Sequence, residues 1–115
     1  MAASPQDSQA RLFQALASPV RLRILDLLRA SGSMTVSELQ QRLGIEAANA
    51  SQHLRVLRDR GLLDRRREGT SVWYSLADPS LLDHIRAIAD HQPGGSARAD
   101  QRARTQDAAR HQTAP

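Results

Sequence analysis

The chain has 115 residues, 40% of them apolar, which allows one small domain with a thin core. It contains no cysteine, which excludes disulfides, thiol redox sensing and thiolate metal sites. The formal net charge is +4 and all 16 basic residues are arginine. Arginine suits phosphate and guanine, yet an all-arginine chain also follows from GC-rich coding, so where the charge sits matters more than its sum.

In chain order, residues 1–6 read as a loose leader and residues 7–92 as the folded part. The N-terminal stretch MAASPQDSQA has no apolar segment of the signal-peptide kind, and no apolar run approaches the ~18 residues of a membrane span, so the expected location is the cytoplasm, with no membrane partner. Asp7 or Ser8 is expected to cap a first helix to about Ala17, with Leu12, Phe13 and Leu16 on one side. Ser18-Pro19 starts a second helix, because proline at the first helical position has no N–H to waste. Val20, Ile24, Leu25, Leu27 and Leu28 give that helix a broad apolar arc, which makes it the core helix. The segment Ser31–Met34 ends it.

Thr35-Val36-Ser37-Glu38 is a capping box that opens a third helix, ended by Gly44. A fourth helix is expected from about Glu46 to Arg60, stopped at Gly61. Two strands follow, Leu62–Arg66 and Ser71–Leu76, joined through Arg67-Glu68-Gly69-Thr70 into a basic hairpin. Asp78-Pro79 starts a last helix to about Gln92. Residues 93–115 lack a large apolar side chain and read as a disordered tail, since they cannot bury enough to offset their ordering entropy. The fold class is therefore mainly α with a β-hairpin wing: a winged helix-turn-helix of about five helices and two strands.

The fourth helix carries the chemistry. At 100° per residue, Ala50, Leu54 and Leu57 define its core side. Ala48, Ser51, Gln52 and Arg55 then point the other way, flanked by Asn49 and Asp59. Gln52 and Asn49 suit adenine edges, Arg55 guanine or phosphate, Ser51 either, and the Ala48 methyl thymine. Any amphipathic surface helix has a polar side; the capped helix before and the basic hairpin after favour a DNA reader. His53, beside the core arc, reads as a packed residue. Arg65, Arg66 and Arg67 are expected on phosphate or in the minor groove, and Thr35 and Thr70 complete the candidate DNA contacts. An enzyme is not expected: there is no phosphate-binding glycine loop, and Ser51 and His53, two apart on one helix, face different directions.

These residues carry a resemblance. ALASPVRLRILDLL, followed by VSELQQRLGIEAANASQHLRVLRDRGLLDRRREGTSVWYSL, closely resembles the ArsR/SmtB family of bacterial winged-helix repressors over about residues 11–90. Its marks are the first Leu-Ala-x-Pro-x-Arg helix, then Ser51, His53, Leu54, Leu57, Gly61 and Leu62, and the wing end Tyr74-Ser75-Leu76. The resemblance implies a homodimer built through the first and last helices, an operator on double-stranded DNA, and an effector that alters binding. The last helix supports a partner independently, with Leu81, Leu82, Ile85, Ile88 and Ala89 on one stripe. Candidate dimer residues are thus Leu12, Phe13 and Leu16 together with that stripe. A two-fold dimer would present two reading helices about one DNA turn, ~34 Å, apart on a pseudo-palindrome.

The effector is where this chain departs from the resemblance. The family's cysteine site on the third helix is replaced by Glu38-Leu39-Gln40-Gln41-Arg42. A second family site, D-x-H with H-x-x-E or H-x-x-H on the last helix, is not reproduced by Asp83-His84 and His91. His84 and His91 still share one angle on that helix and are the candidate metal ligands. They are ~10 Å apart along one axis, so an ion needs one from each subunit. Such a site suits nickel, zinc or cobalt, with His111 of the tail as a loose addition. The alternatives are rim packing for both histidines, control by a small organic ligand or a partner protein, and a winged-helix protein-interaction module without DNA affinity.

Overall fold

The structure is a computed structural model that describes residues 4–93. The chain divides into two units, one up to Pro79 and one from Ser80. Among the described residues there are five helices and three strands. The expected tail and His111 lie outside the described residues, apart from Pro93.

Helix α1 spans Pro5–Leu16 and begins earlier than the sequence suggests. Ser4, not Asp7 or Ser8, is the cap: its hydroxyl accepts from the Asp7 N–H, and the Asp7 carboxylate accepts from the Ser4 N–H, each at 3.1 Å. Ser4-Pro5 thus repeats the device at Ser18-Pro19, where the Ser18 hydroxyl accepts from the Arg21 N–H and opens α2, Pro19–Ser31. Ile24, Leu25 and Leu28 of α2 are buried, and α2 packs on α1, α3, α4, β1 and β3. It is the core helix that its apolar arc implies.

The first strand, β1 (Ser33–Thr35), is not expected from the sequence, where these residues read only as the end of a helix and the cap of the next. It pairs antiparallel with β3 (Ser71–Leu76), setting Met34 against Tyr74; both side chains are buried. Helix α3 covers Val36–Leu43. Its capping box is present, the Thr35 N–H donating to Glu38 Oε1 at 2.9 Å and the Glu38 N–H to the Thr35 hydroxyl at 3.2 Å. Gly44 ends α3 at φ 68°, a left-handed conformation that disfavours a side chain, and turns the chain into α4, Ala47–Asp59.

Strand β2 spans Leu63–Glu68, two residues further than expected at its end. Glu68 pairs with Ser71, so the hairpin closes on a two-residue loop, Gly69-Thr70, with Gly69 at φ 61°. The sheet order is β1-β3-β2. The buried side chains of this unit are almost all apolar and aliphatic: Leu16, Ile24, Leu28, Leu39, Leu43, Leu54, Leu57, Leu62 and Leu63 among them.

In the second unit, helix α5 spans Pro79–Asp90. It stops short of Gln92, because the His91 and Gln92 N–H groups bond to the Ile88 and Ala89 carbonyls in a tightened last turn. No helix among the described residues is long and apolar enough to cross a membrane.

Candidate nucleic-acid interface

The α3–Gly44–α4 segment is a helix-turn-helix, and its second helix is amphipathic in the sense the sequence requires. Ala50, Leu54 and Leu57 are each 0% exposed. Ala48, Asn49, Ser51, Gln52, Arg55 and Asp59 are all exposed. The three buried residues fix the rotation of α4 about its axis, because turning the helix by one residue would bring Ser51 or Asn49 into an apolar core. The exposed set therefore occupies one face in a defined orientation. Glu46, the residue before α4, makes no side-chain cap, so the N–H groups of the first turn lack a side-chain partner there. An exposed N-terminal turn of this kind suits phosphate.

The wing places its arginines on two faces. Leu63, Arg65 and Arg67 share one side of β2, across from Leu76, Tyr74 and Val72. Asp64, Arg66 and Glu68 share the other, across from Ser75, Trp73 and Ser71. All three arginines are exposed, but they are not equivalent. Arg66 donates from Nε and Nη2 to the same Glu68 oxygen, at 2.7 and 2.6 Å. Thr70 is exposed in the loop, whereas Thr35 is half-buried and its hydroxyl serves the α3 cap.

His53 is half-buried, as expected of a residue beside the core arc, but it is not a bland packing residue. The Arg21 Nε–H of α2 donates to its Nδ1 at 3.1 Å. Burial, and then the Arg21 charge, hold its pKa below the ordinary 6.5. Sequence reasoning misses this pair because its members are 32 residues apart.

The candidate dimer residues fall into two kinds. Leu16 and Leu82 are 8% and 4% exposed within the chain, whereas Phe13 and Ile88 are each 63% exposed. Leu12, Leu81 and Ile85 are half-buried, and Ala89 is exposed. His84 and His91 are both exposed. His91 lies just past the end of α5, with Nδ1 2.6 Å from the Ala87 carbonyl. Among the described residues, no group of three or more histidine, cysteine, aspartate or glutamate side chains is placed to hold a metal ion.

A helix-turn-helix domain family matches residues 16–66, the span from the end of α1 to the middle of β2. A transcriptional repressor SmtB homologue of Synechocystis is 36% identical over 91 residues, covering 79% of this chain and 68% of that protein. The HTH-type transcriptional regulator NmtR of Mycobacterium tuberculosis is 42% identical over 96 residues, covering 76% of this chain and 79% of that protein. Among solved structures, a homodimeric winged helix-turn-helix DNA-binding domain of Mycobacterium bovis, a possible ArsR-family regulator, superposes with a TM-score of 0.69 at 32% identity, covering 82% of this chain and 95% of that one. The fold, the helix-turn-helix and these relatives agree, and the chain belongs to the ArsR/SmtB family of winged helix-turn-helix DNA-binding transcriptional regulators, without the family's cysteine site.

Proposed function

We propose that this chain binds a pseudo-palindromic operator as a homodimer, reading bases with α4 and gripping the backbone with the wing. The observation that carries the reading is the sorting of α4 into a fully buried side and an exposed polar side. Asn49, Ser51, Gln52 and Arg55 supply donors and acceptors for base edges, and the Ala48 methyl a contact for thymine. Arg65, Arg67 and Thr70 are the wing's backbone contacts, with Arg66 shared between Glu68 and phosphate. Thr35 contributes by fixing α3 beneath α4. The homodimeric state of the M. bovis relative supports two copies, with Phe13 and Ile88 exposed on α1 and α5 as apolar surface for a partner to cover.

For the effector, the reading favoured is control without a metal, by a small organic ligand or a partner protein. Gln40, Gln41 and Arg42 stand where thiolates would be needed, and the His91 ring is engaged by its own backbone. His84 and His91 alone do not make a nickel or zinc site within one chain. The test is fluorescence anisotropy on a duplex selected by the protein from a random-sequence pool, titrated in EDTA and again with nickel or zinc. Selective binding by two chains per duplex, equal in the two conditions, is expected. An affinity that shifts with metal, and ceases to shift in a His84→Ala variant, would return the effector to the histidines of α5.

A further inference from the structure

A reading helix is useful only at a fixed angle to DNA, and one polar contact ties α4 to the helices before it. Arg21 stands in the first turn of α2. Its Nε–H donates to His53 Nδ1 at 3.1 Å, and its Nη1–H reaches the Ala15 carbonyl near the end of α1 at 3.4 Å. One guanidinium thus joins α1, α2 and α4. His53 stands one helical turn after Asn49 and next to Gln52, on the border between the buried and exposed sides of α4. A change at His53 therefore bears on the turn of α4 that carries Asn49, one of the side chains proposed to read bases.

The contact dictates a protonation state. A guanidinium can only donate, so Nδ1 must accept, and the imidazole is neutral with its proton on Nε2. Protonation would set a donor against a donor and a second cation beside the first. We propose that Arg21 and His53 are a positioning pair that sets how α4 meets DNA, and that it holds only while His53 is neutral, so operator affinity falls on mild acidification. This rests on the α4 reading above.

The surroundings do not offset the repulsion. The elements packed most extensively on α4 are α2, α3 and β2, and α1 adjoins its C-terminal end, at Asp59. Arg21 faces the ring from α2, which also carries Arg23, Asp26 and Arg29; α4 itself carries Arg55, Arg58 and Asp59, α3 carries Glu38 and Arg42, and β2 carries Asp64, Glu68 and its arginines. Glu38 bonds to Thr35 and Glu68 to Arg66. Arg21 is the charge that acts on His53. Because the folded state holds His53 below its ordinary 6.5, the neutral form's contribution to affinity is full above that value and is lost as pH falls through the lower folded value.

The experiment compares wild type, His53→Gln and Arg21→Lys on the duplex selected at about pH 7.5, from there down to about pH 5.5, on either side of the histidine range. Glutamine can accept from Arg21 without titrating, and the other three histidines are common to all variants. Wild type is expected to lose several-fold more affinity than His53→Gln on acidification, but less than about tenfold, because a histidine held below 6.5 is only partly protonated at about pH 5.5. Thermal melts at both pH values establish that each variant is folded. Arg21→Lys keeps the charge but not the fork, and is expected to weaken binding at neutral pH several-fold and to flatten the difference. Parallel pH profiles for wild type and His53→Gln overturn the proposal. A protein that selects no duplex at all overturns the α4 reading itself.

Discussion

Helix α4 and strand β2 both present arginine to solvent, but they are held in opposite ways. Three side chains of α4 are completely buried, spread over two turns, and a further polar contact from Arg21 reaches its flank. Strand β2 is buried only at Leu63, its first residue; from Asp64 to Glu68 every side chain is exposed. The helix is thus fixed in rotation and height, whereas the wing has buried side chains only at its base, at Leu63, Met34 and Tyr74, and is held toward its tip by its pairing with β3. The difference matches two recognition tasks. Base edges demand donors and acceptors placed to a fraction of an ångström, while phosphates accept a charge from many directions. A helix with a fully buried side beside a strand exposed along most of its length follows from where the apolar residues fall in the sequence, and it suits the proposed division between base reading and backbone contact.

The largest expected effect comes from breaking the rigid side. Leu54 is 0% exposed on α4, and Leu54→Ala removes a fully packed side chain. The expected cost is about 2–5 kcal/mol of folding free energy, from the forfeited transfer energy plus the cavity left behind. Urea denaturation measures it, and a change below about 1 kcal/mol would show that α4 is not anchored as described. The equivalent truncation on the wing tip has no such effect, because nothing there is buried.

The reading face gives a smaller and more selective effect. Gln52→Ala with Arg55→Ala leaves the buried side of α4 untouched, so the melting temperature should stay close to wild type. Discrimination between the selected duplex and a scrambled one should fall by about 1–3 kcal/mol for each side chain that had been hydrogen-bonded to a base edge. Undiminished discrimination would mean that other residues read the sequence, whatever the exposure of these two.

The legibility of the molecule divides along the same line. The buried side of α4 is readable because Ala50, Leu54 and Leu57 repeat at helical spacing, and the capping box at Thr35–Glu38 because it is confined to four neighbours. Strand β1 is not readable. Three residues are too few to show alternation, and Ser33–Thr35 become a strand only because β3 offers them an edge. The Ser4 cap is hidden by the lack of large apolar residues between it and Leu12, although its Ser-Pro signal repeats that of Ser18-Pro19. The Arg21–His53 contact has no local signature, since nothing links a residue in the first turn of α2 to one beside the core arc of α4 until the fold brings them together. What is legible is periodic or local; what is hidden depends on tertiary partners.

The smallest expected effect sharpens the view of the wing. Arg65 and Arg67 lie on one face of β2, and Arg66 lies on the other with Glu68 accepting from it at 2.6 and 2.7 Å. Both members of that pair are more than half exposed, at 61% and 58%, so the pair adds little to folding. Its consequence is for binding: a phosphate must compete with Glu68 for Arg66, and the carboxylate itself repels the DNA backbone. Glu68→Gln should therefore raise affinity for selected and scrambled duplexes alike, by under about 1 kcal/mol, with the gain shrinking as salt rises. Arg67→Ala should do the reverse, lowering affinity uniformly and reducing the salt slope by about one. If Glu68→Gln instead altered the preference among sequences, the wing would be a reader as exacting as α4, and the division between a base-reading helix and a backbone-contacting strand would have to be abandoned.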